Sequence, residues 1–148
     1  MKDIAVNRQA FFNYEILEKF EAGLVLKGAE VKSVREGRVN LRDSFGRVSG
    51  NEARLLNMHV SPYEKGGIWN AEPARSRKLL LKRAEIKRIA GKVSQKGLTL
   101  VPLRIYFKRN WAKVEIALAK SRKTHDKRER IKNRELDRDI QRAFKGKL

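Results

Sequence analysis

The chain has 148 residues, a length for one domain with a tail, and no cysteine, which excludes a disulfide framework and a thiolate metal site. Its 36 Lys and Arg stand against 17 Asp and Glu, a formal net charge of +19. Such an excess repels itself in a compact fold, so a polyanionic partner is expected, and nucleic acid is the natural one. The longest apolar runs, such as Ile116–Ala117–Leu118–Ala119, are too short to span a membrane, and Met1–Lys2–Asp3–Ile4 leads into a polar stretch rather than a signal-peptide core. A cytoplasmic protein without membrane contact is expected.

Phe12, Tyr14 and Ile16 alternate at period two and predict a strand, which Leu24 and Leu26 continue after Glu21–Ala22–Gly23. Residues 29–36 put Val31 and Val34 on one face and predict a helix stopped by Gly37. Val39 and Leu41 open another strand, and residues 54–60 form a further one. Residues 83–90 group Ile86, Ile89 and Ala90 and predict a second helix, stopped at Gly91. The clearest pair is 98–107 with 112–119, a hairpin turning at 108–110. Several short strands around a few helices predict a mainly β fold, a small closed barrel of the OB-like kind. That barrel occupies 1–119, and 120–148 is a basic tail.

The tail holds 12 basic and 5 acidic residues. Its larger apolar side chains are only Ile131, Leu136, Ile140, Phe144 and Leu148, too few to offset chain ordering, so it is expected to be disordered when free. Arg130, Arg134, Arg138 and Arg142 recur every fourth residue, and Leu136, Ile140 and Phe144 do the same, offset by two. On a helix these make two stripes on nearly opposite faces, a pattern that folds on contact with a partner.

Signs of catalysis are few. His59 and His125 are the only histidines, and the glycine–lysine pairs lack the spacing of a phosphate-binding loop. A ribonuclease using both histidines and a lysine is the enzymatic alternative, but His125 lies in the segment expected to be disordered, a poor place for a positioned acid or base. A protein without enzymatic activity, metal or cofactor is expected.

Several blocks resemble the SsrA-binding protein (small protein B) family: Asn7–Arg8; Phe20–Glu21–Ala22–Gly23–Leu24; Gly28–Ala29–Glu30–Val31–Lys32–Ser33; Gly37–Arg38–Val39–Asn40–Leu41–Arg42–Asp43–Ser44; Arg75–Ser76–Arg77–Lys78–Leu79–Leu80–Leu81; and His125–Asp126–Lys127–Arg128. They occur in the family's order over nearly the whole chain. The resemblance implies a six-stranded antiparallel barrel with about three helices, and binding to the tRNA-like part of transfer-messenger RNA. It also implies delivery to stalled ribosomes for trans-translation, with elongation factor Tu and alanyl-tRNA synthetase meeting the protein through the RNA. The free protein is expected to be a monomer. The resemblance implies RNA contacts at Asn7, Arg8, Glu21, Lys32, Arg77, Lys78, Leu80 and Lys82.

For the tail, the resemblance implies a helical bound form lying in the empty mRNA channel beside the small-subunit decoding centre. The residues implied are Arg122, Lys123, His125, Asp126, Lys127, Arg128, Arg130, Arg134, Leu136, Arg138, Ile140, Arg142 and Phe144. Two positions depart from the pattern. Ser121–Arg122–Lys123 replaces a common Gly-Lys-Lys, removing backbone freedom at the junction. Lys82 stands where many relatives carry Asn or His, which points to a phosphate contact in place of a base-edge hydrogen bond. Glu21 also reads as a partner for a surface Arg, Leu80 as core, and Tyr63, Tyr106 and Trp111 as barrel core more readily than as stacking platforms. A structural ribosomal protein with a barrel and an rRNA-penetrating tail is the alternative function.

Overall fold

The computed structural model describes residues 2–122 together with Arg134 and Arg138. The chain runs β1 (Asp3–Val6), α1 (Arg8–Asn13), β2 (Tyr14–Leu24), α2 (Gly28–Arg35), β3 (Val39–Asn40), β4 (Phe45–Ser49), β5 (Glu52–Leu56), β6 (His59–Val60), β7 (Arg77–Leu80), α3 (Arg83–Lys96), β8 (Thr99–Lys108) and β9 (Trp111–Ser121). A single 3-10 turn, Gly67–Trp69, lies between β6 and β7.

The hairpin of β8 and β9 turns through Arg109 (φ 51°) and Asn110 (φ 68°). Two left-handed residues in succession match the twist of the flanking strands, which is why so short a loop suffices. β2 adds to β9 from Tyr14 opposite Ser121 to Gly23 opposite Lys113, so β9 runs two residues past its expected end at Ala119. Six strands then close a ring, all antiparallel, in the order β8, β4, β5, β7, β2, β9 and back to β8. Closure leaves no unpaired edge around the ring. β1 pairs with β8 near Tyr106 and Arg104, further along than the point where Gly46 of β4 meets Leu100.

The ring encloses Phe20, Leu55, Leu79, Leu100, Ile105, Ile116 and their neighbours, with Val34 of α2 and Ile89 of α3 joining the same core. A smaller cluster lies where α1 covers the outside of the β8–β9 pair: Ala10 packs on Val101, Leu103, Ala117 and Ala119, small enough for the helix to approach closely. Asn7 starts α1. Its side chain accepts from the Ala10 N–H at 3.3 Å and donates to the Pro102 carbonyl at 2.9 Å. The ladder of β8 and β9 shifts register between Pro102 and Arg104, as a proline without an N–H requires, and the Asn7 N–H takes up the Leu103 carbonyl at 2.7 Å.

Several expectations need correction. Phe12 belongs to α1, not to a strand, because Asn7 caps a helical turn there. The strand expected over 54–60 breaks at Asn57 (φ 64°) into β5 and β6. Leu26 lies beyond the end of β2, and Leu41 beyond that of β3. The second helix passes through Gly91 and ends at Gly97, whose φ of 63° supplies the left-handed cap.

Two glycines therefore predict opposite effects. A Cβ at Gly91 would meet nothing within 4 Å, so Gly91→Ala raises the urea midpoint, by roughly 0.5–1 kcal/mol of stability. A Cβ at Gly46 would lie 2.7 Å from Leu100 Cγ and 3.2 Å from its Cβ, in a buried side chain. Gly46→Ala therefore lowers the midpoint, by about 1–3 kcal/mol. Equal effects in one direction would contradict this reading of the two backbones.

Candidate nucleic-acid interface

β7 alternates strictly: Arg77 and Leu79 face inward, Lys78 and Leu80 outward. Leu80 pairs with Gly23 of β2, Gly23 with Lys113 of β9, and Lys113 with Tyr106 of β8. One row of outward positions thus crosses four strands. Gly23 lets the Leu80 side chain lie close over β2, since a Cβ there would sit 3.1 Å from Leu80 Cβ. Beside Leu80, an apolar groove of about 530 Å³ runs over the barrel rim, lined by Val25, Val31, Leu80, Phe107, Trp111, Lys113 and neighbours. Leu80 is 54% and Trp111 72% exposed, which decides that neither is core.

Cations edge this groove. The Arg35 guanidinium lies 4.6 Å from the centre of the Phe107 ring, and Lys78, Lys108 and Arg109 are exposed. Glu21, two residues before Gly23 on the same outward side of β2, brings a carboxylate, opposite Glu115 of β9, which is paired with Arg104 at 3.2 Å. Glu21 accepts a hydrogen bond from the Tyr106 hydroxyl and lies 3.5 Å from Lys108 Nζ. The Tyr106 hydrogen bond, ahead of the charge of Lys108, holds the Glu21 carboxyl below the usual glutamate range despite some burial. Burial first, then Glu21, pushes the Tyr106 phenol up. The pair is therefore a fixed carboxylate held by a fixed donor. Its free lone pairs suit an amino group or a 2′-hydroxyl, not a phosphate.

A buried ion cluster holds the groove's two sides together. Glu30 of α2 is 4% exposed, and Arg77 of β7 is fully buried. Arg77 Nε donates to Glu30 Oε2 at 2.6 Å, and its other nitrogens reach the carbonyls of Met58, Pro73 and Arg75 at 2.6–3.0 Å. Arg75 Nε also donates to Glu30, at 3.1 Å. Burial alone would push the Glu30 carboxyl up. The hydrogen bonds from Arg75, the Lys27 N–H and Arg77 outweigh it and hold the group below its ordinary value.

The expected RNA contacts separate on this geometry. Glu21, Lys78 and Leu80 share one outward face. Lys32 flanks it on α2, its ammonium 5.3 Å from the Tyr63 ring centre. Lys82 is exposed at the start of α3, where its N–H donates to Glu85 at 3.0 Å. Arg8 is exposed in a separate recess with Asn40 and Arg42. Two are corrected. Arg77 is fully buried with its donors turned to protein acceptors, and Asn7 is a buried cap for α1. Both serve the fold. Neither Tyr106 nor Trp111 is barrel core as expected: Tyr106 is buried on the outward side, where its hydroxyl reaches Glu21, and Trp111 is exposed. The sequence reading missed Lys113, Val25 and the stack of Arg35 on Phe107. The Lys108–Asn110 turn was the available signal, since it sets which β9 residues point outward.

Of the tail residues, the Arg122 N–H donates to the Asn13 carbonyl at 2.9 Å. Arg134 and Arg138 are helical and exposed, and the Arg134 guanidinium lies 5.7 Å from the Phe12 ring centre. Lys123, His125, Asp126, Lys127, Arg128, Arg130, Leu136, Ile140, Arg142 and Phe144 lie outside the described residues. So does the expectation of a tail disordered when free, apart from 120–122, Arg134 and Arg138.

A closed six-stranded barrel with a cation-edged apolar groove defines a small basic protein of the oligonucleotide-binding barrel class. The family model described as SmpB protein matches residues 4–146. Two similar chains are the SsrA-binding proteins of Trichodesmium erythraeum (60% identical, covering 97% of this chain and 93% of that one) and Carboxydothermus hydrogenoformans (56% identical, covering 99% and 98%). A solved structure described as "tmRNA-SmpB: a journey to the center of the bacterial ribosome" matches with a TM-score of 0.69 at 53% identity, covering 81% of this chain and 85% of the other. The chain belongs to the SmpB family.

The ion cluster makes a pH prediction. A carboxyl with a lowered folded pKa contributes stability that is fully present above its unfolded pKa and is lost as pH falls through the folded value. Unfolding midpoints should therefore drop with acid below the ordinary glutamate value of 4.5. Glu30→Gln should remove much of that acid dependence, and Arg77→Ala should destabilise by about 3–5 kcal/mol at neutral pH, because buried Glu30 keeps only Arg75 and the Lys27 N–H while the Met58 and Pro73 carbonyls lose their donor. An Arg77→Ala protein as stable as wild type would contradict the cluster's role.

Proposed function

We propose that this protein binds the tRNA-like part of transfer-messenger RNA through the Glu21–Leu80 face and carries it to stalled ribosomes, where the tail enters the empty mRNA channel. The observation that carries this reading is the groove itself. Exposed Leu80 and Trp111 give unstacked bases an apolar floor, the surrounding cations attract phosphates, and Glu21 reads a donor. The relatives named SsrA-binding proteins, matched over nearly their whole length, support the RNA partner. The solved tmRNA-SmpB structure supports the ribosome. The same full-length matches favour a carrier over a structural ribosomal protein.

Binding, not catalysis, is the reading. His59 is exposed on the short strand β6, paired with Asn40, and no group of three or more metal-capable side chains occurs among the described residues. No helix among the described residues is long and apolar enough to cross a membrane. The proposed ribosomal task supports a cytoplasmic setting. Residues 1–122 form the RNA-binding unit in this account, since β9 pairs through Ser121 and Arg122 is tied to Asn13. The remainder acts on the ribosome.

Glu21→Ala and Leu80→Asp should each weaken binding to the tRNA-like RNA by about ten-fold or more, measured by filter binding. A chain ending at Arg122 should keep that affinity and fail to support tagging on ribosomes stalled over a truncated message. Phe144→Ala should impair tagging without changing RNA affinity, because the apolar stripe rather than the charge fixes the tail's register. Loss of RNA affinity in the shortened chain, as severe as in Glu21→Ala, would refute the division of labour.

A further inference from the structure

Between β6 and β7 the chain forms a knuckle on which Ile68 is 91% and Trp69 78% exposed. The knuckle is tied down at its base. Asn70 Nδ2 donates to the Tyr63 carbonyl and Asn70 Oδ1 accepts from the Tyr63 N–H, both at 2.9 Å. The Trp69 N–H donates to the Gly66 carbonyl at 2.9 Å. A Cβ on Gly66 would come within 2.8 Å of Asn70 Cγ, so the tight clamp needs glycine there. Two large apolar side chains are thus held out of the core by a loop whose own hydrogen bonds fix it. That arrangement loses burial without gaining flexibility, and it suits a contact surface.

The chemistry around it selects RNA. Lys32 lies over Tyr63 at the knuckle's base, Lys65 is within it, and Arg38 meets the nearby Glu64 at 3.9 Å. Cations beside exposed aromatic surface favour a base with its phosphates over a basic protein face. The knuckle also continues the groove. On α2, Val31 lines the groove, Arg35 stacks on its Phe107, and Lys32 covers Tyr63. One helix, α2, therefore touches both surfaces.

We propose that Trp69, with Ile68 beside it, is a second stacking platform, which takes an unpaired base of the RNA held in the groove after that RNA has crossed α2. The proposal rests on the groove reading, and the chain's two tryptophans let one experiment separate the two. In Trp111→Phe, Trp69 alone emits; in Trp69→Phe, Trp111 alone does. Saturating each with transcribed tRNA-like RNA should quench both residues and shield both from acrylamide. Trp69→Ala should weaken binding of that RNA about ten-fold, with Trp69→Phe restoring most of it. Trp69 is exposed enough that folding is not at stake.

If Trp111 responds while Trp69 stays as open to acrylamide as in the free protein, and Trp69→Ala binds normally, the platform is refuted and the groove stands. If neither tryptophan responds, the groove reading falls and the platform with it. Shielding of Trp69 that appears only in cell extract and survives ribonuclease would assign the knuckle to a protein partner and overturn the proposal.

Discussion

Glu30 has almost no access to water, and a carboxylate so placed is tolerable only with cations and donors around it. Arg77 from β7 and Arg75 from the segment before it supply them. Because Glu30 and the two arginines come from separate parts of the chain, the cluster fixes α2 against β7. Carbonyls of Met58 and Pro73 bind the same guanidinium, so the chain after β5 and the end of the loop before β7 are tied in too. Everything that faces the groove from α2 (Val31, Lys32, Arg35) and from β7 (Lys78, Leu80) inherits its position from this one ion cluster. Ion pairs that mutually satisfy their hydrogen bonds specify geometry more than they add stability, and geometry is what a recognition face requires.

The large positive charge attracts RNA but discriminates little, because every RNA offers phosphates. Discrimination needs groups that read something else. In the proposed function Glu21 is one, since a carboxylate among cations repels phosphate and rewards a base amino group or a ribose hydroxyl. Leu80 and Trp111 are the others proposed, since exposed apolar surface favours unstacked bases. Tyr106 matters through Glu21: by donating to one oxygen it orients the carboxylate before any RNA arrives, so less ordering is left to binding.

The sequence disclosed those parts of the fold that depend on local chemistry. The β8–β9 hairpin followed from alternation and a turn, and α2 followed from a short apolar face closed by Gly37. The two residues proposed as the groove's chief RNA contacts, Glu21 and Leu80, came from resemblance, and the register of Gly23 with Leu80 explains why they belong together. Long-range partners decided what was missed. Nothing near Arg77 in the chain announces that Glu30, forty-seven positions earlier, will bury it. Asn7 beside Arg8 looks like surface until Pro102, from the far end of the chain, needs its carbonyl satisfied. Gly91 resembled a stop because glycine usually weakens a helix, yet Ile89 is buried in the core and the left-handed Gly97 ends the helix instead. Trp111 resembled core by type alone, and its place at the mouth of the hairpin exposes it.

The central claim is that RNA meets this barrel on the face organised by the Glu30 cluster. Backbone amide spectra of the isotopically labelled protein, recorded during titration with the tRNA-like RNA, test it most directly. The account predicts the largest shifts at Glu21, Val25, Leu80, Asn110, Trp111 and Lys113. It predicts little change at the recess of Arg8 and Arg42 or along the exposed side of α3. Shifts concentrated at either of those two surfaces, with the groove amides unmoved at saturation, would contradict it.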